Sequence, residues 1–271
     1  MSQAPLDVLT LPDVPRVELQ DPPLVLALCQ VQYGAITNLE DALRIAPFQQ
    51  AIQAEYPIST IAPRSINVQV NAAGMQQQVG SFQWTFRDNN DIWRLSLAND
   101  ALTLETRRYK AFPQLLGRLR TALDALRIHL RPEVTKRIGL RYVNEIRETG
   151  ADWSDIIRPR LLGPLGEPAL ARNATHTFQE MRLAYPDGHS INLRHGRLPG
   201  GTTVQPREGQ ESPKDPFYLI DIDTFCLYSE QEPEPLNPEA ICARVDSFHT
   251  EIHRLFRWTV SDDYIAGLAV R

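Results

Sequence analysis

The residues best suited to chemistry are charged side chains on two predicted strands. Arg137 and Arg141 flank Gly139 in the first strand, and side-chain alternation places all three on one face. Asp221 and Asp223 lie two apart in the second strand and therefore also share a face. Opposite charges pair readily across a sheet, so we expect a structural ladder in which at least one arginine meets an aspartate.

A ligand site built from the same residues is the main alternative to the ladder. The planar arginine fork suits a carboxylate or phosphate, and a glycine between two arginines lets a ligand approach closely. Arg194 and His195 end another strand just before a long loop, where binding sites often form. The candidate binding residues are Arg137, Gly139, Arg141, Asn144, Arg194, His195, Asp221 and Asp223.

Metal and catalytic chemistry have less support. Asp221 and Asp223 could hold Mg²⁺, but no third acid and no glycine-rich phosphate loop accompany them. His249 and His253 stand four apart on a predicted helix, yet Glu251 between them is at the wrong offset for the H-E-x-x-H metalloprotease motif. The sequence has no G-x-S-x-G, Walker, G-x-G-x-x-G or C-x-x-C motif. We therefore expect no metal, no cofactor and no catalytic residues.

The elements that must position these residues follow from two periodicities. Strict alternation of apolar and polar residues predicts an antiparallel meander with one buried face, and a leucine-rich stripe at helical spacing predicts a long helix that covers it. In chain order we expect a strand at 24–33, a short helix at 48–56, meander strands at 66–70, 82–87, 93–97 and 102–105, and a long helix at 112–130. Asn38 or Asp41 could cap the short helix, and Pro47 fits its first turn.

The same order of elements recurs in the rest of the chain. We expect a strand at 134–147, a short helix at 153–162, strands at 175–185, 189–196 and 217–228, and a closing helix at 238–258. The recurrence predicts an α+β fold of two tandem halves, each an antiparallel sheet with a short helix and one long covering helix. The predicted divisions are an extended N-terminal arm at 1–22, halves at 23–132 and 133–271, and a long loop at 198–216 whose composition favours disorder over function.

Aromatic residues on the meander have two interpretations. Phe82, Trp84, Phe86 and Trp93 could stack nucleic-acid bases, but the helix stripe needs an apolar partner, so we assign them to the core. For the two long helices the expected buried residues are Leu116, Leu119, Leu123, Phe248 and Ile252.

Composition restricts the class of protein. A chain of 271 residues with 42% hydrophobic content is typical of a globular protein, and the three scattered cysteines fit a reducing compartment. The opening residues lack a basic start and an apolar segment, so we expect a cytoplasmic protein without a membrane span. Net charge is −5, but residues 107–147 hold eleven Lys or Arg against three acids, whereas residues 215–243 hold seven acids and no base. These stretches either neutralise each other or form a basic groove for an anionic partner.

Several short blocks resemble a bacterial protein family of about this length that has a sporadic distribution. The blocks are Pro22-Pro23-Leu24-Val25, Trp84-x-Phe86, Arg137-Ile138-Gly139-Leu140-Arg141-Tyr142-Val143-Asn144, Arg194-His195-Gly196 and Asp221-Ile222-Asp223. The resemblance implies no mechanism and no catalytic residues. A patchy distribution suggests an accessory protein, such as part of a defence or toxin–antitoxin module.

The function that these observations favour is a non-enzymatic binding or accessory protein that engages a protein partner or an anionic ligand. One alternative is an enzyme acting on a phosphate- or carboxylate-bearing small molecule between the halves. Another is a nucleic-acid-binding component that uses the basic stretch at 107–147. A second copy of the chain is a further candidate partner, and no membrane partner is expected.

Overall fold

The chain contains two compact units, each assembled from segments that are distant in sequence. The computed structural model describes residues 11, 14, 19–20, 22–63, 68–71, 74–77, 82–147, 152–202, 204, 213–229, 231 and 233–269. The first unit comprises Met1–Ala27, Arg141–Phe225 and Ser247–Arg271, and the second comprises Leu28–Leu140 and Cys226–Asp246. The sequence predicts contiguous halves instead, and the equivalence of those halves stays a prediction.

Helices and a large antiparallel sheet make this an α+β protein, as the sequence predicts. Four elements contribute residues to both units: β1 (Leu24–Tyr33), β8 (Val134–Ile146), β11 (Phe217–Leu227) and α6 (Pro238–Thr259). The second unit also contains α1 (Ala42–Ile52), β2 (Ile58–Pro63), β3 (Val68–Asn71), β4 (Gly74–Gln77), β5 (Phe82–Arg87), β6 (Trp93–Ala98), β7 (Ala101–Thr106), α2 (Phe112–Ala125) and β12 (Glu234–Pro235). The first unit also contains α3 (Trp153–Ile156), α4 (Pro159–Leu162), α5 (Pro168–Ala171), β9 (Gln179–Ala184), β10 (His189–Leu198) and α7 (Asp262–Leu268).

The second unit is built on the meander, in the strand order β2-β5-β6-β7-β1-β8. The β5–β6 turn is set by Asp88, whose carboxylate accepts hydrogen bonds from the backbone N–H groups of Ile92 and Trp93 at 2.7 and 3.1 Å. Trp84, Phe86 and Trp93 are buried, which confirms that they belong to the core. Phe82 of the same aromatic set is instead exposed.

The leucine stripe of the long helix is largely buried, as its spacing predicts, and Arg118 of this helix lies 5.0 Å from the centre of the Trp93 ring in β6. The helix begins at Phe112 and continues through a π-helical turn at Leu126–Leu130. Leu119 and Leu123 are fully buried, whereas Leu116 is only half-buried because it lies at the margin of the stripe. The predicted burial of Phe248 and Ile252 on α6 is confirmed.

The first unit orders its strands β1-β8-β11-β10-β9 and places α6 on one face of the sheet. Tyr142 of β8 contacts His249 of α6, with 3.1 Å between the hydroxyl and Nδ1. Arg141 is the preceding residue, so its side chain points to the opposite face of the sheet. The β9–β10 turn contains Gly188 at φ 81°, a left-handed conformation that glycine adopts without strain.

Several elements differ from their predicted form. Helix α1 begins after Asp41, whose carboxylate accepts from the Leu43 N–H at 2.9 Å, and Pro47 lies inside it rather than in its first turn. The predicted helix at 153–162 is split into α3 and α4, because Ile157 forms an isolated β-bridge with Val260 and Pro159 starts a new helix. The pattern also misses β2, β4 and α7.

Only parts of the predicted arm and loop are described. Leu19 forms a β-bridge with Ala269, and the Gln20 N–H donates to the Leu268 carbonyl at 2.8 Å. In the loop, the Gly201 N–H donates to the Pro213 carbonyl at 2.8 Å. Most of the arm, residues 203 and 205–212 of the loop, and the start of the strand predicted at 66–70 lie outside the described residues. Within the described helices, none is both long and apolar enough to cross a membrane.

Burial of the α2 stripe generates the first prediction. Leu123→Ala should lower the free energy of unfolding by about 2–5 kcal/mol, because Leu123 is 0% exposed and its loss leaves a cavity. Ile128→Ala, five residues further along the helix and at 50% exposure, is the matched control and should cost under about 0.5 kcal/mol. Urea titration of both variants measures the difference. Equal stability of the two variants would mean that the stripe does not face the core.

Candidate functional site

A buried charge pair in the first unit joins Arg141 to Asp221. Arg141 donates through Nε to Oδ1 at 2.8 Å and through Nη2 to Oδ2 at 2.7 Å, which is a two-point contact between the arginine fork and the carboxylate. The Asp221 side chain is 2% exposed and the Arg141 side chain 19% exposed. The expected meeting of an arginine with an aspartate on these two strands is thus observed.

Arg194 extends this pair into a chain of alternating charges. Its Nη1 donates to Asp221 Oδ2 at 3.3 Å, and its Nε donates to Glu180 Oε1 at 2.9 Å across the β9–β10 ladder. Partial burial lowers the pKa of Arg194, but the carboxylates of Glu180 and Asp221 outweigh this effect and hold the pKa above its usual value. Arg141, Asp221, Arg194 and Glu180 contribute two charges of each sign, so we call them the ion ladder.

Gly139 has a specific steric role in the second unit. A Cβ atom added there would lie 2.5 Å from Nη1 of Arg137, so the missing side chain makes room for that guanidinium. The sequence predicts a close approach at this glycine, and the group that approaches is Arg137 itself. Arg137 and Asp223 are each engaged in an interaction of their own, so neither is an open binding group.

Asn144 and His195 lie on the other face of the first unit's sheet. Asn144 Nδ2 donates to the Ile220 carbonyl at 3.2 Å, and His195 Nδ1 is 2.9 Å from the Tyr218 hydroxyl. Both side chains are buried, and burial lowers the pKa of His195. The structure therefore does not bring these two candidates together with Arg141, Arg194 and Asp221.

The charged face of β8 continues into a second set of contacts. Arg147 donates to the Glu145 carboxylate at 2.5 Å and to the Asp215 carbonyl at 2.8 Å, and its guanidinium lies 4.2 Å from the centre of the Phe217 ring. Like the ion ladder, this set uses partners from the chain itself. Across the described part of the chain, no three His, Cys, Asp or Glu side chains cluster as metal ligands would.

A cavity elsewhere in the first unit has a different character. Its volume is about 360 Å³, and it combines apolar walls with positively charged side chains. We call it the arginine pocket. Its lining residues are Leu11, Val14, Arg158, Arg160, Arg254, Arg257 and Trp258.

Three segments of the chain form the arginine pocket: the N-terminal arm, the residues around Arg158 and the end of α6. The end of α6 contributes Arg254, Arg257 and Trp258, whose spacing of three and four residues places them on one side of the helix. Arg158 is brought there by backbone contacts, since its N–H donates to the Thr259 carbonyl at 3.0 Å. The Ser261 N–H donates to the Ile156 carbonyl at 2.7 Å and completes this attachment.

Arg158 and Arg257 of the arginine pocket share one carboxylate, that of Asp262. Asp262 Oδ1 accepts from Nη2 of Arg158 at 3.0 Å and from Nη2 of Arg257 at 3.4 Å, and this aspartate is 72% exposed. The Arg257 side chain is only 12% exposed. Among the described residues, Nε and Nη1 of Arg257 and Nε of Arg158 have no hydrogen-bond partner although they are buried. Such donors lose hydration without replacement, which is unfavourable in the absence of a ligand.

The sequence contains a faint signal for this pocket. Arg158-Pro159-Arg160 and Arg254-Leu255-Phe256-Arg257-Trp258 are both basic, and the second includes two aromatic residues. Basic residues at the end of a helix usually complement the helix dipole, so the second block suggests no site by itself. The second block indicates a binding site only when Arg158 lies beside it, and the spacing of these residues along the chain does not show that they are close in the fold.

Comparison with protein-family models and with curated proteins finds no match to this chain. The resemblance to the sporadically distributed bacterial family therefore stays a prediction, and no residue role is carried over from another protein.

The ion ladder generates the second prediction. Arg141→Met should lower the free energy of unfolding by about 2–4 kcal/mol, because Asp221 stays buried with only the longer contact to Arg194. Adding Asp221→Leu should recover much of this loss, since both members of the pair are then removed. Urea unfolding of the single and double variants measures the coupling. An Arg141→Met protein as stable as the wild type would exclude a structural ladder.

Proposed function

We propose that this chain is a non-enzymatic binding protein that holds an anionic ligand in the arginine pocket. The observation that carries the proposal is three buried guanidinium nitrogens without a partner among the described residues, Nε of Arg158 and Nε and Nη1 of Arg257, beside a cavity of about 360 Å³. An anion bound there would accept hydrogen bonds from donors that otherwise have none.

The arginine pocket is a better anion site than the ion ladder that the sequence favours. In the ladder, a ligand would have to displace Asp221 from a two-point contact with Arg141, and that carboxylate would then remain buried without its partner. In the pocket, the competing carboxylate belongs to Asp262, which is largely exposed and is therefore screened by solvent. An anion can thus enter the pocket without breaking a buried pair.

Binding has more support than catalysis. The described side chains that line the pocket are those of Leu, Val, Arg and Trp, and they include no carboxylate, imidazole or thiol to act as a base or nucleophile. Arginine stays protonated at any physiological pH, so it binds and orients an anion without exchanging protons with it. The alternative enzyme acting on a phosphate- or carboxylate-bearing molecule would need reactive groups from outside this lining.

We further propose the compartment in which the protein acts, the kind of module to which it belongs and the repeat in its fold. We propose a cytoplasmic accessory protein, consistent with three cysteines that are all free and buried. The idea of a bacterial defence or toxin–antitoxin module, with a protein partner, is supported by the sequence resemblance alone. An architecture of two tandem halves is supported by the strand order, because β1 lies beside β7 and β8 lies beside β11, so each predicted half pairs its first predicted strand with its last.

Anion binding generates the third prediction. The wild-type protein should bind pyrophosphate in isothermal titration calorimetry, and Arg257→Gln should weaken binding at least tenfold by removing buried donors. The matched control is Arg172→Gln, which removes the same charge from an exposed position of the first unit and should bind like the wild type. Both variants should remain folded, since neither leaves a buried carboxylate without a partner.

Two results would contradict the proposal. One is the absence of pyrophosphate binding to the wild type at low ionic strength, where electrostatic attraction is strongest. The other is an equal loss of affinity in Arg257→Gln and Arg172→Gln, which would indicate general charge attraction rather than a site.

A further inference from the structure

We infer that the ligand of the arginine pocket is a nucleoside phosphate, with its phosphate between Arg158 and Arg257 and its base against the stack of Arg160 and Trp258. This inference rests on the proposed function, because it names the class of anion that the same pocket would take. The phosphate of such a ligand matches the arginines of the lining, and its base matches the apolar and aromatic side chains.

The phosphate position follows from the shared contact with Asp262. Arg158 and Arg257 both reach Oδ1 of this carboxylate, at 3.0 and 3.4 Å, so their guanidinium groups are close enough to hold one anion together. Nε of Arg158 and Nε and Nη1 of Arg257 are further donors, buried without a partner among the described residues, and they match the several acceptor oxygens of a phosphate. A phosphate also carries more negative charge than a carboxylate, which suits two converging arginines.

The size and walls of the pocket call for more than an inorganic anion. A cavity of about 360 Å³ falls in the range that holds a small organic ligand, and a phosphate ion would occupy only a fraction of it. Leu11 and Val14 on the arm and Trp258 on α6 offer apolar surface that an inorganic ion cannot use. A ligand that fills the pocket therefore has an apolar or planar body attached to its anionic group.

The stack of Arg160 and Trp258 favours a planar ring as that body. The Arg160 guanidinium lies 5.3 Å from the centre of the Trp258 ring, so a flat cationic surface and a flat aromatic surface already stand together in the lining. Nucleic-acid bases stack on aromatic rings and on guanidinium planes alike. An acyl chain would gain contact area here but no stacking, which makes a base the better match.

The test compares four small ligands by calorimetry at fixed ionic strength: AMP, ribose 5-phosphate, octyl phosphate and inorganic phosphate. AMP should bind the wild-type protein at least tenfold more tightly than ribose 5-phosphate, because only AMP carries a base. Trp258→Leu should abolish this difference, Trp258→Phe should keep part of it, and Arg257→Gln should weaken all phosphate ligands. Thermal unfolding of each variant checks that it is folded, and Arg160→Gln, which should reduce the preference for AMP, replaces any Trp258 variant that is not.

The outcomes separate this inference from the proposed function. Equal affinities for AMP and ribose 5-phosphate, or octyl phosphate binding as tightly as AMP, would overturn the nucleotide assignment and leave the anion site intact. Failure of every phosphate compound to bind the wild type would overturn both.

Discussion

A buried guanidinium loses its hydration and needs an acceptor in return, and this requirement organises the first unit. At the ion ladder the acceptor is internal, since Asp221 is fully buried between Arg141 and Arg194. At the arginine pocket the Arg257 side chain is only 12% exposed, yet its Nε and Nη1 donors find no acceptor among the described residues. The first arrangement satisfies its donors within the chain, and we propose that an anionic ligand satisfies the donors of the second.

The architecture keeps these two arrangements apart. Alternation along β8 and β10 points Arg141 and Arg194 to the sheet face opposite α6, where the acids of β9 and β11 complete the ladder. The pocket instead depends on the end of α6 and on the short β-bridge between Ile157 and Val260, which holds Arg158 beside Arg257. The break between α3 and α4 is thus part of the site, because a continuous helix would leave Arg158 without these backbone contacts.

The sequence predicts features that depend on local periodicity or on charge at fixed spacing. The strands β5, β6 and β7 and the stripe of α2 follow from alternation and helical spacing, and the pairing of Arg141 with Asp221 follows from complementary charges on two strands. Strand β2 is missed because Ile58 and Ile61 are three residues apart and exposed at an edge, so no period-two pattern marks it. Asn144 and His195 joined the predicted site although alternation points them away from it.

The arginine pocket escapes prediction for a different reason. It forms from Arg158 and Arg257, and only the tertiary contacts around Val260 and Ser261 bring these two residues together. The same limit applies to the compact units, since each joins segments from distant parts of the chain.

We propose that Arg257 binds a ligand, whereas Arg141 stabilises the folded state through its pair with Asp221. The most direct test is the free energy of unfolding of wild type, Arg257→Met and Arg141→Met in urea, each with and without pyrophosphate. Without the anion, Arg257→Met should be at least as stable as the wild type, and pyrophosphate should not stabilise it further. Pyrophosphate should stabilise the wild type by mass action, and it should also stabilise Arg141→Met, which is less stable than the wild type without the anion. If Arg257→Met were as destabilised as Arg141→Met, and if pyrophosphate stabilised all three proteins equally, Arg257 would be structural and the claim would be wrong.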